Sequence, residues 1–316
     1  MNFPVFDLHC DTALALLGED LRQSGSLRKN EHHIDLERAA KLPGYTQCFA
    51  CFTSPWDQLP DGTTVTQLFE REMVTVLREV EKNSDLISLV YTAKEIEKNR
   101  NNGKMSAILT IEGPAGFDFD PALLEDLYKI GFRITTLGWN EKNVLCGSHK
   151  TGGGLTDLGK EYVFEAQRLG MLIDVSHISD EAFWDIMDIT QAPVIATHSN
   201  SRAVHNVSRN LTDDMFKAIC QTGGVAGLNM YTEFLGENAT LDTVCDHVLH
   251  WLDLGGEKHV ALGGDLDGCE ALPVGFAGVQ DYPKLAESLL ARGVNERTVY
   301  DIFWNNAMGV IQKCCM

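Results

Sequence analysis

The 316-residue chain carries 26 Lys and Arg against 45 Asp and Glu, a formal charge of -19 at pH 7, which opposes binding to the phosphate backbone of nucleic acid or to an anionic membrane. Its 44% hydrophobic and 22% charged residues are those of a globular protein, with 28 dispersed glycines, so long disordered stretches are not expected. No apolar run approaches the roughly 20 residues that span a bilayer.

The start, Met1-Asn2-Phe3-Pro4, lacks a basic segment followed by an apolar one, and nine scattered cysteines suit a reducing compartment, so a cytoplasmic location is expected. The length suits one α/β barrel or two ordinary domains; no linker interrupts it, so one domain over residues 1–316 is favoured.

In chain order, residues 5–8 form a buried strand that stops at His9 and Asp11. In an extended chain these two point to one side and Cys10 to the other. Residues 12–30 read as an irregular loop, and His32 and His33 as exposed or lying behind a site. The strand 46–52 contains Cys48 and Cys51, which a separation of three puts on opposite faces, against a shared zinc or redox role. Apolar residues at 65, 68, 69, 73, 76, 77 and 80 mark an amphipathic helix over 64–82. Helical patterns at 92–100 and 121–130 flank a strand at 106–111, which runs into Glu112.

From residue 132 strands and helices alternate regularly. Strands at 132–137, 171–176, 193–197, 224–230 and 260–264 are separated by helices at 156–169, from 179, from a cap at Thr212, and at 241–254. The fifth strand ends at His177, the sixth at His198 and the last at Asp265; helices at 283–292 and 295–311 close the chain. Phe303 and Trp304 in the last helix suit packing on the barrel or on a second copy, so a homodimer is possible. Eight strands interleaved with helices give a (β/α)8 TIM barrel of the metal-dependent hydrolase type. A doubly wound sheet is the alternative, but neither G-x-G-x-x-G nor G-x-x-x-x-G-K-[ST] occurs.

Barrel strands end on one face, so His9, Asp11, Glu112, His177 and His198 should meet there. Three imidazoles and two carboxylates suit Zn2+ or a similar ion. Five ligands overfill one tetrahedral site, so two ions are expected, with Glu112 able to bridge them. A water ionised between two metals makes hydrolysis the natural reaction, and Asp265 stands where a carboxylate can carry the proton to a leaving amine. His247 and His250 lie on a helix away from this face; His149, His205 and His259 have no ligand-like company; no G-x-S-x-G elbow is present.

The segments Asp7-Leu8-His9-Cys10-Asp11-Thr12, His33-Ile34-Asp35-Leu36, Thr110-Ile111-Glu112-Gly113, Ile173-Asp174-Val175-Ser176-His177, Ala196-Thr197-His198-Ser199, Arg209-Asn210-Leu211-Thr212 and Gly263-Gly264-Asp265-Leu266-Asp267-Gly268 occur in this order along nearly the whole chain. In them the sequence resembles the membrane (renal) dipeptidase family of zinc peptidases, in its soluble bacterial form. The resemblance implies a barrel with two zinc ions, one on His9, Asp11 and Glu112, the other on Glu112, His177 and His198. It implies that Arg209 binds the free carboxylate of a dipeptide, with Asn210 and Trp139 at the substrate, that Asp265 is catalytic, and that L-Xaa-D-Xaa dipeptides are substrates. Trp139 stands where many members have a substrate-binding histidine. A hydrolase of another amide, or an inactive barrel that binds a small ligand, remains open.

Overall fold

The computed structural model describes residues 3–22, 25–54 and 59–315. Nine strands lie in one parallel sheet: β1 Val5–Cys10, β2 Tyr45–Phe52, β3 Ile87–Leu89, β4 Met105–Glu112, β5 Phe132–Thr136, β6 Leu172–Asp174, β7 Val194–Ile195, β8 Ala226–Leu228 and β9 Val260–Leu262. Eight form the barrel, in the order β7-β6-β5-β4-β2-β1-β9-β8. A parallel bridge between Ala196 and Ala226 joins the two ends, with the Gly227 amide donating to the Ala196 carbonyl at 2.8 Å. This is a (β/α)8 barrel.

β3 is an addition that the sequence reading missed, three residues too short to show alternation. It pairs with the start of β4, from Met105 to Ala107, and β5 pairs with the same strand further on, from Leu109 to Ile111. The later strands are shorter than expected. Where the sequence suggested five to seven residues, β6 to β9 keep two or three and the chain then bends into the site.

Inward residues Phe6, Leu8, Cys48, Ile108, Ile134, Leu172, Ile195 and Ala261 form one buried cluster with Trp304, Met308 and Ile311 of the last helical segments. Trp304 packs its ring 5.8 Å from that of Phe6, and Phe303 lies 6.0 Å from Phe3. Both C-terminal aromatics therefore serve this chain's own core rather than a second copy. Cys315 is buried in the same cluster. Cys48 belongs to this inner cluster and Cys51 to the outer one, under the helices.

The helix expected over 64–82 is Val65–Lys82, with a capping box between Thr64 and Gln67 and with Leu68, Phe69, Val76 and Val80 buried. The loop expected over 12–30 instead begins with a short helix, Thr12–Leu17.

His247, on a helix away from the ligand-bearing face, is fully buried. Its Nδ1 accepts from the Ser201 amide at 3.1 Å and its Nε2 lies 3.1 Å from the Leu235 carbonyl, so the ring is held neutral, and burial pushes its pKa down to about 4. Between about pH 6.5, the ordinary imidazole value, and pH 4 the unfolded chain takes up a proton here that the folded chain refuses. Stability should thus fall as pH drops through this window, by about 2 kcal/mol at pH 5 from this one group. Urea unfolding at pH 7 and pH 5 checks it: His247→Asn should show a smaller loss between the two, and an identical loss would remove His247 as its source.

Candidate metal centre and substrate cavity

The candidate ligands reach one place by local departures from regular strand. In β1 the pairing register with β2 slips between Asp7 and Cys10. The bulge re-aims the chain end, so that His9 enters the site although its neighbour Leu8 already faces inward. Asp11 follows as the residue before the helix Thr12–Leu17. Glu112 is the last residue of β4, paired in register with Phe52 of β2. His177 and Asp265 have left-handed backbones (φ 70° and 55°), three residues beyond β6 and β9. Such φ values strain residues other than glycine and cluster at functional sites.

Two buried aspartates tie these bends down. Asp174 accepts from the amides of Ser176 and Thr197, both at 2.9 Å, and from the Thr197 hydroxyl, joining the chain ends that carry His177 and His198. Asp7 accepts from the amides of His9 and Gly264, both at 3.0 Å, and from the Tyr282 hydroxyl, joining those that carry His9 and Asp265. Space is tight here. A Cβ on Gly263 would lie 1.6 Å from the Thr197 carbonyl oxygen, so only glycine lets the strand leading to Asp265 pass the one leading to His198.

Glu112 is central, and its two oxygens divide. Oε2 lies 3.1 Å from His9 Nε2; Oε1 lies 3.0 Å from His177 Nε2 and 3.6 Å from His198 Nε2. On the first side His9 Nε2 is also 3.6 Å from Asp11 Oδ2 and 3.8 Å from Asp265 Oδ1. Burial pulls the His9 imidazole down, but Glu112 and Asp11 outweigh burial and hold it well above its ordinary pKa. These carboxylates favour a cation among them, whether a proton or a metal.

On the second side the Nε2 atoms of His177 and His198 face each other at 2.8 Å. The Thr197 hydroxyl gives its single proton to Asp174, so it accepts from His198 Nδ1 at 2.7 Å. His177 Nδ1 lies 3.1 Å from the Asn140 amide oxygen, which can only accept. Burial holds both rings well below the ordinary imidazole pKa, hence neutral. Each neutral ring spends its proton at Nδ1 and turns a bare Nε2 lone pair to the same point. Two facing lone pairs repel unless a cation lies between them and Glu112.

Three imidazoles and three carboxylates with this directionality are the donor set of a borderline divalent ion. Buried Asp11 Oδ1 has no hydrogen-bond partner, as a metal ligand would. Within the site His9, Glu112 and His198 form one close group and His9, Asp11 and Asp265 another.

Asp265 is buried, and burial, with Asp11 and Glu112 nearby, pushes its pKa up to about 7. Its Oδ2 accepts from Asn229 Nδ2 at 2.9 Å, while a Cβ on Gly268 would lie 2.7 Å from Oδ1 and 2.0 Å from Asp11 Oδ2. Glycine at 268 leaves room for both carboxylates to converge.

The site opens into a cavity of about 560 Å³, within the range of small-molecule pockets. Asp11, Glu112, His177 and Asp265 form its floor; Phe52, Trp139, Tyr231 and Phe234 give it apolar walls, and Arg209 enters from the side. The Trp139 ring meets Phe52 edge-on at 5.0 Å and stands 6.2 Å from His177. Arg209 is buried; Nη1 donates to Ser199 Oγ at 2.6 Å, Nη2 donates to the His198 carbonyl at 2.9 Å, and Nε has no partner.

Two expectations change. Asn210 is not among the described residues that line the cavity: its amide nitrogen donates to the carbonyls of His205 (2.9 Å) and Phe234 (2.8 Å), shaping the loop behind Arg209 rather than meeting a ligand. His149, left without company in the sequence, lines the cavity with its ring 6.2 Å from His177. No motif marked it, because the contact is made by a loop that folds back.

The sequence profile of the membrane dipeptidases, peptidase family M19, matches residues 1–315. The chain belongs to this family. Its members are metallo-dipeptidases, and membership places the chain in that enzyme class. Two uncharacterised dipeptidases of Schizosaccharomyces pombe are 34% and 31% identical to it over 277 and 263 residues. These matches take in 82% and 81% of this chain but 67% and 64% of the yeast proteins, so the chain spans about two thirds of their length. A metallopeptidase of Rhodobacter sphaeroides, solved with a phosphinate mimic of the dipeptide L-Ala-D-Ala, superposes with a TM-score of 0.88 at 27% identity, covering 99% of this chain and all of the other. The dipeptidase AC, a metallopeptidase of family M19, gives 0.88 at 29% identity over 100% and 99%. Among the described residues no helix is long and apolar enough to cross a membrane.

Proposed function

We propose that this M19 dipeptidase hydrolyses dipeptides with a free C-terminal carboxylate, L-Xaa-D-Xaa included, with two zinc ions in the site. His9, Asp11 and Glu112 would hold one ion, and Glu112, His177 and His198 the other. Bound there, the ions would supply a water ionised at neutral pH and a polarised scissile carbonyl.

The chain's own residues do the rest. Arg209 pairs with the substrate's terminal carboxylate, and its planar fork fixes the peptide's direction. A buried cation that becomes favourable only with an anion beside it selects peptides whose second residue is the last. Asp265, whose carboxyl burial and the neighbouring Asp11 and Glu112 hold up in the metal-free site, stands beside both carboxylates where it can carry a proton from water to the leaving amine. Asn229 holds its other oxygen in place. Phe52 and Trp139 exclude bulk water from one flank; Trp139 offers one N–H donor and no charge. All nine cysteines are free, which supports action in the reducing cytoplasm.

The observation that carries this reading is the division of Glu112's two oxygens between His9 on one side and His177 with His198 on the other, in a cavity that Arg209 also lines. The inclusion of L-Xaa-D-Xaa dipeptides draws support from the mimic bound to the Rhodobacter sphaeroides relative. Steady-state hydrolysis of L,L- and L,D-dipeptides by zinc-loaded protein, beside the same peptides amidated at the C-terminus, tests it. Cleavage of the free acids and not of the amides is expected. Equal cleavage of both would remove Arg209 from its role, and no cleavage of any would remove the dipeptide.

A further inference from the structure

Asn140 and His149 have no role in the chemistry described so far, yet both stand in the cavity beside His177. The Asn140 amide oxygen lies 3.1 Å from His177 Nδ1 and 2.8 Å from His149 Nε2. An amide oxygen has two lone pairs and no proton, so both rings donate to it. His149 is thereby protonated at Nε2, and its Nδ1 accepts from the Ser208 hydroxyl at 2.9 Å. The His149 backbone amide donates to the His177 carbonyl at 2.8 Å, so His177 is gripped at ring and main chain together. Ser148 Oγ in turn donates to the Asn140 carbonyl at 2.6 Å, closing the loop on itself. Ser208 immediately precedes Arg209 in the chain.

We infer that Asn140 is a positioning residue that fixes His177 with its Nε2 lone pair towards the metal, and that His149 is the strut holding Asn140 against the loop of Arg209. The inference rests on the reading of His177 as a metal ligand. The physical content is proton placement. Were the amide turned round, its NH2 would face His177 Nδ1, and the ring proton would sit on Nε2, where it blocks an ion. His149 holds the amide from its other side, donating Nε2–H to the same oxygen that His177 uses. One continuous set of bonds then runs from the residue beside Arg209 to the ligand, so the grip on the carboxylate and the grip on the metal are set together.

The test uses the full-length protein and zinc alone, titrated against a chromophoric chelator for stoichiometry and affinity. Asn140→Leu keeps the shape and removes the acceptor; it should weaken one of the two ions by about 10- to 100-fold, the usual effect of losing a partner behind a metal-bound histidine. Asn140→Asp keeps an acceptor for both rings and should hold both ions nearly as the parent does. His149→Leu should lose part of the affinity, and His149→Gln, whose amide nitrogen reaches the place of imidazole Nε2, should restore it. Affinity unchanged in Asn140→Leu, or lost equally in the leucine and aspartate variants, would overturn the inference. If Asn140→Leu does not fold, the His149 pair decides, and a glutamine no better than leucine overturns it. A parent that binds no zinc overturns the metal reading with it, whereas a parent with two ions indifferent to Asn140 and His149 overturns this inference alone.

Discussion

Exchange of Glu112 for glutamine is expected to empty both metal positions while leaving the barrel folded. The side chain keeps its volume, and Glu112 closes a strand whose seven register pairs with β2 do not depend on its charge. One oxygen, however, becomes an NH2 group. Whichever side it faces, it aims a donor at an imidazole Nε2 that now has an anionic oxygen 3.0 to 3.1 Å away. That donor fills the lone pair a metal needs, and the negative charge shared by both positions is gone. Since bound metal supplies several kcal/mol of transition-state stabilisation, hydrolysis should fall by about three orders of magnitude or more.

A readout independent of catalysis accompanies it. Ions that bind only the folded chain stabilise it by mass action. The zinc-loaded parent should therefore melt at a lower temperature after chelation, and Glu112→Gln should melt at the same temperature with or without chelator. Two equivalents of zinc retained by the dialysed variant would break the bridging assignment.

The barrel was legible because its strands are buried on both faces and read as short apolar runs, as in Ile108-Leu109-Thr110-Ile111 before Glu112. The candidate ligands were legible because each is a polar residue where such a run stops. What the sequence hid is how they are aimed. Alternation along β1 accounts for neither the slip between Asp7 and Cys10 nor the left-handed turns at His177 and Asp265. Those bends depend on Asp7 and Asp174, which sit two and three residues before a candidate ligand in Asp7-Leu8-His9 and Asp174-Val175-Ser176-His177. A buried aspartate inside an apolar strand was the available signal. His149 and Asn210 exchanged places for a related reason: their roles come from loops folding over the barrel face, and loop geometry leaves no period in the sequence.

The other large effect is expected at Arg209, and its sign differs between activity and stability. The guanidinium is buried, uses two of its five donors on Ser199 and the His198 carbonyl, and makes no ion pair with any described carboxylate. Burial pulls its pKa below the ordinary value against the opposing pull of Asp265, Asp174 and Glu112, the mark of a charge that the fold compensates only in part. Such a cation is costly in the free protein and becomes favourable only when an anion arrives. Arg209→Met, which fills similar space without charge, should lower kcat/KM for free dipeptides by about a hundred- to a thousandfold, the size of losing one partner of a desolvated pair. Amidated dipeptides, which bring no charge to that place, should lose little.

The same variant should be no less stable than the parent and up to about 2 kcal/mol more stable, because relief of the buried charge offsets the two lost hydrogen bonds. Function purchased at the expense of stability is what a binding residue shows and a packing residue does not. Urea unfolding beside the kinetics separates the two: a variant that loses activity and several kcal/mol together would make Arg209 a structural brace between the ends of β7 and its loop, and would move carboxylate recognition elsewhere in the cavity.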